Sequence, residues 1–537
     1  MDRASHALGE AYVAALGWSL RHKLATVAAA VASLVASVLL AGLLGTEFVP
    51  KADYSETFIS FYTPAGSALE TTEARTRQVD AILREMPEVK TTLATINTGQ
   101  AQGRNYVSVL VRLVDRKDRQ RSVDQMSVPL RERLAQVAGI TVTHVGLLDP
   151  VGGGKPIQLS IQGSDLATLQ RLTDELMPRL RQVPGLVDLD TSMKPPKPTV
   201  NIDVRRDAAS DLGLSVGSIT NTLRGLVAGQ TVSDWRAGDD QNYDIKVRLA
   251  PGARGSASDM QRLPLVLGTQ ADGSPRVVRL SQVADVRAGL GPNQVNRRDL
   301  NRESEITANT AGRALGQVSA DIRQVMQAQP LPPGYSYRFG GATKDMQESF
   351  VYAISALVMG VIFIYMILAS QFRSYLQPLA LMSSLPLTLI GVVGALLLWR
   401  STLNMFSIIG VVMLMGLVTK NAILLIDFAI RARQPLVQAD GSVLPGMERS
   451  QALLHAAKVR LRPILMTTLA MIFGMLPLAL ALSEGAEQRA PMGQAVIGGV
   501  ITSSVMTLVV VPVIYCWLDD LGAWARRGFR RQARVAA

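Results

Sequence analysis

The sequence is poor in cysteine, histidine and aromatic residues. Its 537 residues include one cysteine, Cys516, and four histidines, and aromatic side chains make up 5%. A single cysteine excludes a disulfide within one chain, so an external domain would have to fold by packing alone. The four histidines are scattered and form no metal-ligand cluster. The sequence also has no phosphate loop, nucleophile elbow or zinc-site spacing, so we predict no enzyme, no metal site and no other cofactor.

Long apolar runs, in contrast, are abundant. A membrane-spanning helix needs about 20 consecutive apolar residues, and six segments qualify. The polar region Glu47–Gln347 separates the first segment from the second. The sequence therefore predicts an α-helical membrane protein with a first span in 24–46, a large α+β domain, and five further spans in 348–518. The six segments are Leu24–Leu44, Ser349–Ser370, Pro378–Trp399, Leu403–Ile430, Pro463–Leu482 and Met492–Leu518.

Lysine and arginine are distributed unequally among the short loops. Fifteen lie on the side of the N-terminus and two, Arg400 and Arg489, on the opposite side. The positive-inside rule then predicts a membrane protein with both termini cytoplasmic and the large domain outside the cytoplasm. Residues 519–537 form a basic cytoplasmic tail. The net charge of +12 partly reflects this bias, so we predict no nucleic-acid partner.

Residues 1–23 precede the first span and carry an apolar stripe. Leu8, Tyr12, Leu16 and Leu20 are spaced four apart, so they share one face of a helix. We interpret this segment as an amphipathic helix that lies on the cytoplasmic leaflet and contacts membrane lipids, and not as a cleavable signal peptide. The alternative is an ordinary soluble helix.

The large domain contains a repeated pattern. In residues 47–152 the order β-α-β-β-α-β predicts a first ferredoxin-like unit. Gly152 to Gly154 form a joint, and the pattern restarts in residues 153–206 and 299–342. Residues 207–298 interrupt this second unit as an inserted lobe. The alternative is a single irregular domain.

Lys420 is the one lysine inside the apolar run Gly410–Ile430. It lies roughly 16 Å from the polar boundary at Arg431 if each helical residue rises 1.5 Å, which places the ammonium near the bilayer midplane. A charge at that depth costs roughly 2.5–3.5 kcal/mol. Lys420 should therefore have an anionic partner, a watery cavity or a role in ion coupling. A snorkelling side chain and a purely structural ion pair are the alternatives.

Three motifs resemble those of one transporter family. The run GLVTKNAILLIDFA, Gly416 to Ala429, resembles its tenth span, and RLRPILMTTLAMIFGMLPLAL, Arg460 to Leu480, its eleventh. The run from Ile367 to Leu387 resembles the end of the eighth span and the start of the ninth. Over nearly its whole length the sequence resembles the C-terminal half of a resistance–nodulation–division (RND) efflux permease, of the hydrophobe/amphiphile exporter branch. The two ferredoxin-like units would then be porter subdomains, and the insert a docking lobe.

The resemblance implies roles for several intramembrane residues. In this family the tenth-span lysine pairs with two aspartates on the fourth span, and protonation of those aspartates drives the porter domain through its transport cycle. Lys420 matches that lysine, Thr467 matches a relay residue of the eleventh span, and Arg460 matches an arginine near the proton path. Asn421 and Asp427 are possible accessory residues. Alternatively, Thr467 bonds a carbonyl of its own helix, and Arg460 is an interfacial positive-inside residue.

The aspartate pair belongs to a half that this sequence lacks. Asp427 is the only acidic residue in the spans, and it lies about 10 Å from Lys420 along a helix axis. The resemblance therefore implies an N-terminal half-permease carrying the acidic pair as a partner, without which we expect no proton coupling. It also implies a bacterial inner-membrane location with the large domain in the periplasm. The implied assembly is a trimer, with a periplasmic adaptor and an outer-membrane channel that contact residues 207–298.

The resemblance also places a substrate cleft in the porter region. Multidrug members line this cleft with phenylalanines, whereas Leu93 and Leu110 stand where aromatic residues are expected. Phe58, Phe61 and Tyr62 face either the core or the cleft. An apolar cleft favours hydrophobic or amphipathic cargo. We therefore expect a proton-driven exporter of such compounds, the alternatives being a six-span membrane scaffold or translocation factor, or a non-functional fragment.

Overall fold

A computed structural model describes residues 2–98, 103–147, 153–269, 272–437 and 443–535. The joint residue Gly152, the first residue Met1 and the end of the basic tail, residues 536–537, lie outside these ranges. The chain begins with helix α1, Asp2–Arg21, followed by helix α2, Lys23–Ala41. Within α1, Leu16 is fully buried, and the Tyr12 hydroxyl donates a 2.9 Å hydrogen bond to the Leu508 carbonyl of a later helix.

The first α+β unit is a four-stranded antiparallel sheet covered by two helices. Its strands lie in the order β2-β3-β1-β4. Residues alternate between buried and open along β1 and β3, because successive side chains of a strand point to opposite faces. The buried face packs against α3 and α4. The elements are β1 Glu56–Tyr62, α3 Leu69–Arg84, β2 Val89–Ile96, β3 Tyr106–Leu113, α4 Val123–Ala135 and β4 Thr141–Gly146.

An inserted lobe divides the second unit. The chain enters this unit, leaves along β7, and builds two hairpins and four short helices around a separate apolar core before it returns along β12. The elements up to this point are β5 Ile157–Gly163, α5 Leu166–Leu180, β6 Leu186–Thr191, β7 Lys197–Val204, α6 Arg206–Asp211, α7 Val216–Val227, β8 Gln230–Arg236, β9 Asn242–Val247, α8 Ala257–Gln261, β10 Pro264–Thr269, β11 Pro275–Arg279, α9 Leu280–Val283 and β12 Ala284–Gly291.

The second unit is completed by β13 Asn296–Arg298, β14 Asn301–Thr310, α10 Leu315–Ala328 and β15 Ser336–Gly340. Its sheet has the order β13-β14-β5-β15, with β6 also paired to β14, and α5 and α10 cover its core. Strand β7 pairs with β12 and not with this sheet. The lobe is therefore carried on a two-stranded ribbon, one strand of which falls within the predicted 153–206 segment of the second unit.

The remaining helices form a bundle. Small and aliphatic side chains of α14, α15 and α16 pack around α17. Pro386 lies in a short helix between α12 and α14. The helices are α11 Gly341–Phe372, α12 Gln377–Met382, α13 Ser384–Leu387, α14 Leu389–Leu398, α15 Met405–Ala432, α16 Arg449–Ala479 and α17 Ala490–Val535.

Six helical segments in the described ranges have the length and composition of a membrane span. Each overlaps one of the apolar runs predicted from the sequence. They are Lys23–Ala41, Gly341–Phe372, Gln377–Leu398, Met405–Ala432, Arg449–Ala479 and Ala490–Leu521.

The core of the second unit provides a test of the fold. Leu176 of α5 is 0% exposed, so Leu176→Ala should destabilise the protein by about 2–5 kcal/mol. We expect a clearly lower thermal unfolding midpoint for the full chain in detergent. Leu300, which is 94% exposed, provides the control Leu300→Ala, whose midpoint should match the unmutated protein. Equal midpoints for the two variants would contradict this packing.

Candidate functional site

Lys420 lies on the open face of α15. The helix begins at a capping box, in which the Asn404 side chain accepts a 3.0 Å hydrogen bond from the Ser407 N–H. Side chains of the opposite face are buried against the bundle, including Leu414, Val418, Ala422 and Leu425. Lys420 is exposed and shares its face with Met413, which is 42% exposed. Packing within this chain therefore turns the ammonium away from the bundle.

No carboxylate in the described ranges pairs with Lys420. Asp427, the acid on the same helix, instead forms a 2.9 Å ion pair with Arg431 one turn further on. Asn421 lies on a different face of α15 from Lys420, because successive helical residues are about 100° apart. It is 2% exposed, and its Oδ1 is buried with no hydrogen-bond partner among the described residues. Asp427 and Asn421 are thus near Lys420 in sequence but do not compensate its charge.

Thr467 and Arg460 both lie on α16, beside α15. The Thr467 hydroxyl donates a 3.0 Å hydrogen bond to the Ile464 carbonyl of its own helix, which is the local bonding considered as the alternative to a relay role. The Arg460 guanidinium carbon lies 5.0 Å from the centre of the Phe428 ring of α15, a distance typical of a cation–π contact. The structure therefore places both residues on the helix next to Lys420, without a direct bond between Lys420 and either of them.

A cavity of about 320 Å³, lined by both polar and apolar groups, lies between the two α+β units. The Tyr62 and Tyr106 rings stand 5.6 Å apart on its wall, and the Tyr106 hydroxyl accepts a 2.7 Å hydrogen bond from Asn293. The Lys194 ammonium lies 4.8 Å from the centre of the Tyr62 ring and pairs with Asp190. The cavity thus combines aromatic surface with charges of both signs.

Lys155 and Glu305 add two titratable groups to this cavity. Burial lowers the pKa of the Lys155 ammonium to about 8, against the opposing effect of Asp190 and Asp188. Burial, together with the neighbouring Glu303, raises the pKa of the Glu305 carboxyl. Both shifts favour the neutral forms, as expected where charged groups lose hydration.

Three of the four apolar residues predicted for the cleft lie outside this cavity. Leu93, Leu110 and Phe58 are direct neighbours across β2, β3 and β1, on the sheet face away from α3 and α4. They do not line the cavity, and Leu93 is 63% exposed. Phe61 is 1% exposed and belongs to the hydrophobic core of the first unit, although it also borders the cavity. Of the four residues predicted for the cleft, Phe61 alone borders this cavity, and the apolar cleft stays a prediction.

The period-two alternation of a strand would have placed Phe58 and Phe61 on opposite faces of the sheet. Phe58 and Phe61 are three positions apart, so they must lie on opposite faces of β1. Tyr62 is four positions from Phe58 and shares its face. No sequence pattern indicated the polar set Lys155, Asp190 and Lys194, because those residues meet Tyr62 only when the two units pack together.

Residues 1–519 match the model of the AcrB/AcrD/AcrF family. The chain belongs to the AcrB/AcrD/AcrF family. It therefore has the fold of an RND permease, with helical spans and an α+β porter-like domain. The hydrophobe/amphiphile branch expected from the motifs stays a prediction.

Two crystal structures of a heavy metal efflux pump share this fold. Crystal form II superimposes with a TM-score of 0.83 at 24% sequence identity, over 96% of this chain and 52% of the pump. Crystal form I gives a TM-score of 0.82 with the same identity and coverage. This member of the AcrB/AcrD/AcrF family thus spans about half the length of the solved structures it matches.

The lowered pKa of Lys155 can be measured directly in this protein. After reductive methylation with a labelled methyl group, one lysine NMR signal should titrate with a midpoint of about 8, losing its charge as the pH rises through that value. The signal should vanish in Lys155→Arg and persist in Lys197→Arg, which replaces an exposed lysine. If every lysine signal titrated near the ordinary pKa of about 10.4, the burial of this ammonium would be disproved.

Proposed function

We propose that this chain is one half of a proton-driven efflux permease, and that Lys420 is the cation of its proton site. The observation that carries the proposal is the position of Lys420, an ammonium midway along an apolar helix, on a face that no described part of the chain covers. A charge in hydrocarbon is unfavourable without a counter-ion. The open face therefore suits a neighbour with carboxylates, supplied by a second polypeptide or by another part of a longer one.

Backbone hydrogen bonds connect α15 to the second porter unit. The Met405 N–H at the start of α15 donates to the Phe48 carbonyl at 3.1 Å, and the Leu403 N–H donates to the Gly45 carbonyl at 2.8 Å. From the same segment, the Thr46 carbonyl accepts a 2.8 Å hydrogen bond from Gly316 at the start of α10. A shift of α15 when its lysine gains or loses a counter-ion would thus be transmitted to the second unit.

The loop between α16 and α17 contacts the first porter unit instead. The Glu484 carboxylate accepts hydrogen bonds from the Ser55 hydroxyl at 3.0 Å and from the Arg116 N–H at 3.1 Å. Arg116 also pairs with Glu487 of the same loop. Because different membrane helices contact the two units, relative motion of those helices would open or close the cavity between the units.

The cavity supports an amphipathic cargo better than a purely hydrophobic one. Tyr62 and Tyr106 offer ring faces to an apolar group, while Lys155, Asp190 and Lys194 suit charged or polar groups. The similarity to a heavy metal efflux pump makes a metal ion the second candidate. The described residues, however, contain no group of three or more His, Cys, Asp or Glu placed to hold a metal ion.

The orientation proposed for the chain places both termini in the cytoplasm and the porter units in the periplasm. Apart from the loop lysines and arginines, ion pairs at the bundle end opposite the porter units support it. There Arg449 contacts Asp519 at 3.3 Å and Asp520 at 2.5 Å, and Lys23 contacts Asp520 at 3.4 Å. These pairs tie the polar ends of α2, α16 and α17 together.

The lobe is proposed to contact the periplasmic adaptor and outer-membrane channel of a trimeric assembly. Its hairpin β8–β9 is exposed at every residue. Trp235 and Tyr243 lie opposite each other on it, with ring centres 6.0 Å apart, and are 60% and 47% exposed. Exposed aromatic pairs are typical of interface hot spots.

Replacing Lys420 tests the proposed function. Lys420→Met keeps the length of the side chain and removes the charge, so proton-driven export should fall at least about tenfold, since ion-pair loss of more than 1.4 kcal/mol changes an equilibrium by that factor. Export is measured as dye efflux from proteoliposomes with an imposed pH gradient, using the complex with the half that carries the acidic pair. Met413→Leu, on the same open face, is the control and should export normally.

Undiminished export by Lys420→Met, at equal incorporation into the proteoliposomes, would refute coupling through this lysine. It would then favour a membrane scaffold or translocation role, in which Lys420 has no counter-ion to exchange.

Replacing the aromatic pair of the hairpin tests the partner assignment. The double variant Trp235→Ala, Tyr243→Ala should lower cross-linking of the complex to its adaptor by more than tenfold, because hot-spot aromatics contribute about 2 kcal/mol or more each. Val277→Ala, in the second hairpin of the same lobe and also exposed, should leave cross-linking unchanged. Equal cross-linking by all three proteins would contradict a role of this hairpin.

A further inference from the structure

Asp188 joins the two porter units at one edge of the cavity. It lies on β6 of the second unit, and its side chain is 4% exposed. Arg131 of the first unit binds it in a bidentate manner, with Nε 2.8 Å from Oδ1 and Nη2 2.9 Å from Oδ2. The Val145 N–H of β4 donates a further hydrogen bond to Oδ2 at 3.2 Å. Three donors of one unit thus converge on a single carboxylate of the other.

Asn309 and His144 extend this contact. The Asn309 amide Nδ2 donates to Asp188 Oδ2 at 2.7 Å and lies 2.8 Å from His144 Nδ1. An amide NH₂ only donates, so His144 Nδ1 must accept and carries no proton. The other ring nitrogen, Nε2, then donates to the Gly146 carbonyl at 3.1 Å. The reverse orientation of the amide would turn its oxygen towards the Asp188 carboxylate, so the network fixes a neutral imidazole.

A second proton on His144 would break this arrangement. Nδ1–H and the Asn309 NH₂ would then be two donors facing each other, in a site where both residues are nearly inaccessible, at 3% and 4% exposure. The charges around the ring do not favour protonation either. Asp188 of β6 attracts a proton, but Arg131 of α4 and Lys155 before β5 oppose it, and the facing residue of β1 is the neutral Ser60. Burial is the largest effect, and it lowers the pKa of His144 to about 4.

The network lies next to the cavity between the units. Thr143 and Asp190, which flank His144 and Asp188 in the chain, both line the cavity, as does Lys155. The Lys155 ammonium donates a 2.7 Å hydrogen bond to the Asp188 carbonyl. Separating β4 from β6 would therefore widen the cavity and expose His144 to water in the same step.

We propose that His144, Asn309, Asp188 and Arg131 form a proton-released latch, which holds the two porter units together while His144 is neutral and lets them part when it is protonated. Its transport consequence rests on the proposed function, because the cavity that it closes is the proposed cargo cleft. Protons arriving at the periplasmic face would thereby favour the opened cleft, independently of Lys420 in the membrane.

The sign and size of the effect follow from linkage. The pKa of His144 is lower in the latched state than in the opened state. The free-energy advantage of the latched state is therefore complete above the pKa of the opened state. It is lost as the pH falls from that value towards about 4. With an ordinary histidine pKa of about 6.5 in the opened state, lowering the pH from about 7.5 to about 5.5 should raise the ratio of opened to latched molecules about tenfold.

Spin labels on the two units measure this ratio. We suggest Ala74→Cys on α3 and Ala167→Cys on α5, both exposed, in a Cys516→Ser background of the full chain in lipid nanodiscs. Double electron–electron resonance should show a longer-distance population that grows about tenfold relative to the shorter one between about pH 7.5 and about pH 5.5. If the ratio of the two populations did not change with pH, the proposal would be overturned before any further variant is made.

Two substitutions assign the response. His144→Asn keeps an acceptor towards Asn309 but cannot be protonated, so the pH response should disappear. Asp188→Asn removes the charge that Arg131 binds, so the longer distance should dominate at both pH values. A response retained in His144→Asn, or latched distances retained in Asp188→Asn, would overturn the latch.

Two controls separate this proposal from others. His22→Asn replaces an exposed histidine outside the porter units and should keep the full pH response. Loss of the pH response in His22→Asn would assign that response to His22 and overturn the latch. Lys420→Met should also keep the response, because His144 lies in the porter units and the chain alone pairs no described carboxylate with Lys420 whose exchange could move α15. Failure of proton-driven export and failure of the latch are thus read in different experiments.

Discussion

A positive charge inside an apolar helix has to be compensated, and the packing of this chain decides where that compensation can come from. The aliphatic face of α15 is buried against α16 and α17, and this burial turns Lys420 outwards. Asp427, the one acid of the helix, is already paired with Arg431. Within the described residues the packed bundle therefore leaves Lys420 without a carboxylate, as the proposed division of a proton site between two halves requires.

The contacts between the membrane helices and the porter units offer a route by which a change at Lys420 would reach the porter units. Main-chain hydrogen bonds at residues 45–48 hold the start of α15 to the second unit, and the loop between α16 and α17 holds the first unit through Glu484 and Glu487. Because packed interfaces switch between discrete arrangements and do not deform continuously, small helix shifts can be converted into rearrangement of the units. Under the proposed function, motion of these helices relative to each other would change the cavity between the units.

The contact between the units has a different chemistry from the core of either one. Each core is largely aliphatic, whereas Asp188, Arg131, Asn309 and His144 meet across the boundary through hydrogen bonds and an ion pair. A buried polar network is specific in geometry but sensitive to the loss of one partner, since each unpaired group then bears its full desolvation penalty. Such a joint is suited to separating reversibly, which an aliphatic interface of the same size would resist.

The sequence by itself determined the class of the protein and the elements from which it is built. Apolar runs of sufficient length marked the six helices, period-two alternation marked β1 and β3, and the position of Lys420 within its run indicated a charge in the membrane. These features are local, so one stretch of chain contains all the information. Only the tertiary structure decided which faces meet: that Phe61 enters the core while Tyr62 borders the cavity, that β7 joins the ribbon of the lobe, and that His144 lies against Asn309, 165 residues away. Those contacts depend on how separate elements pack, and no periodicity within a single segment encodes them.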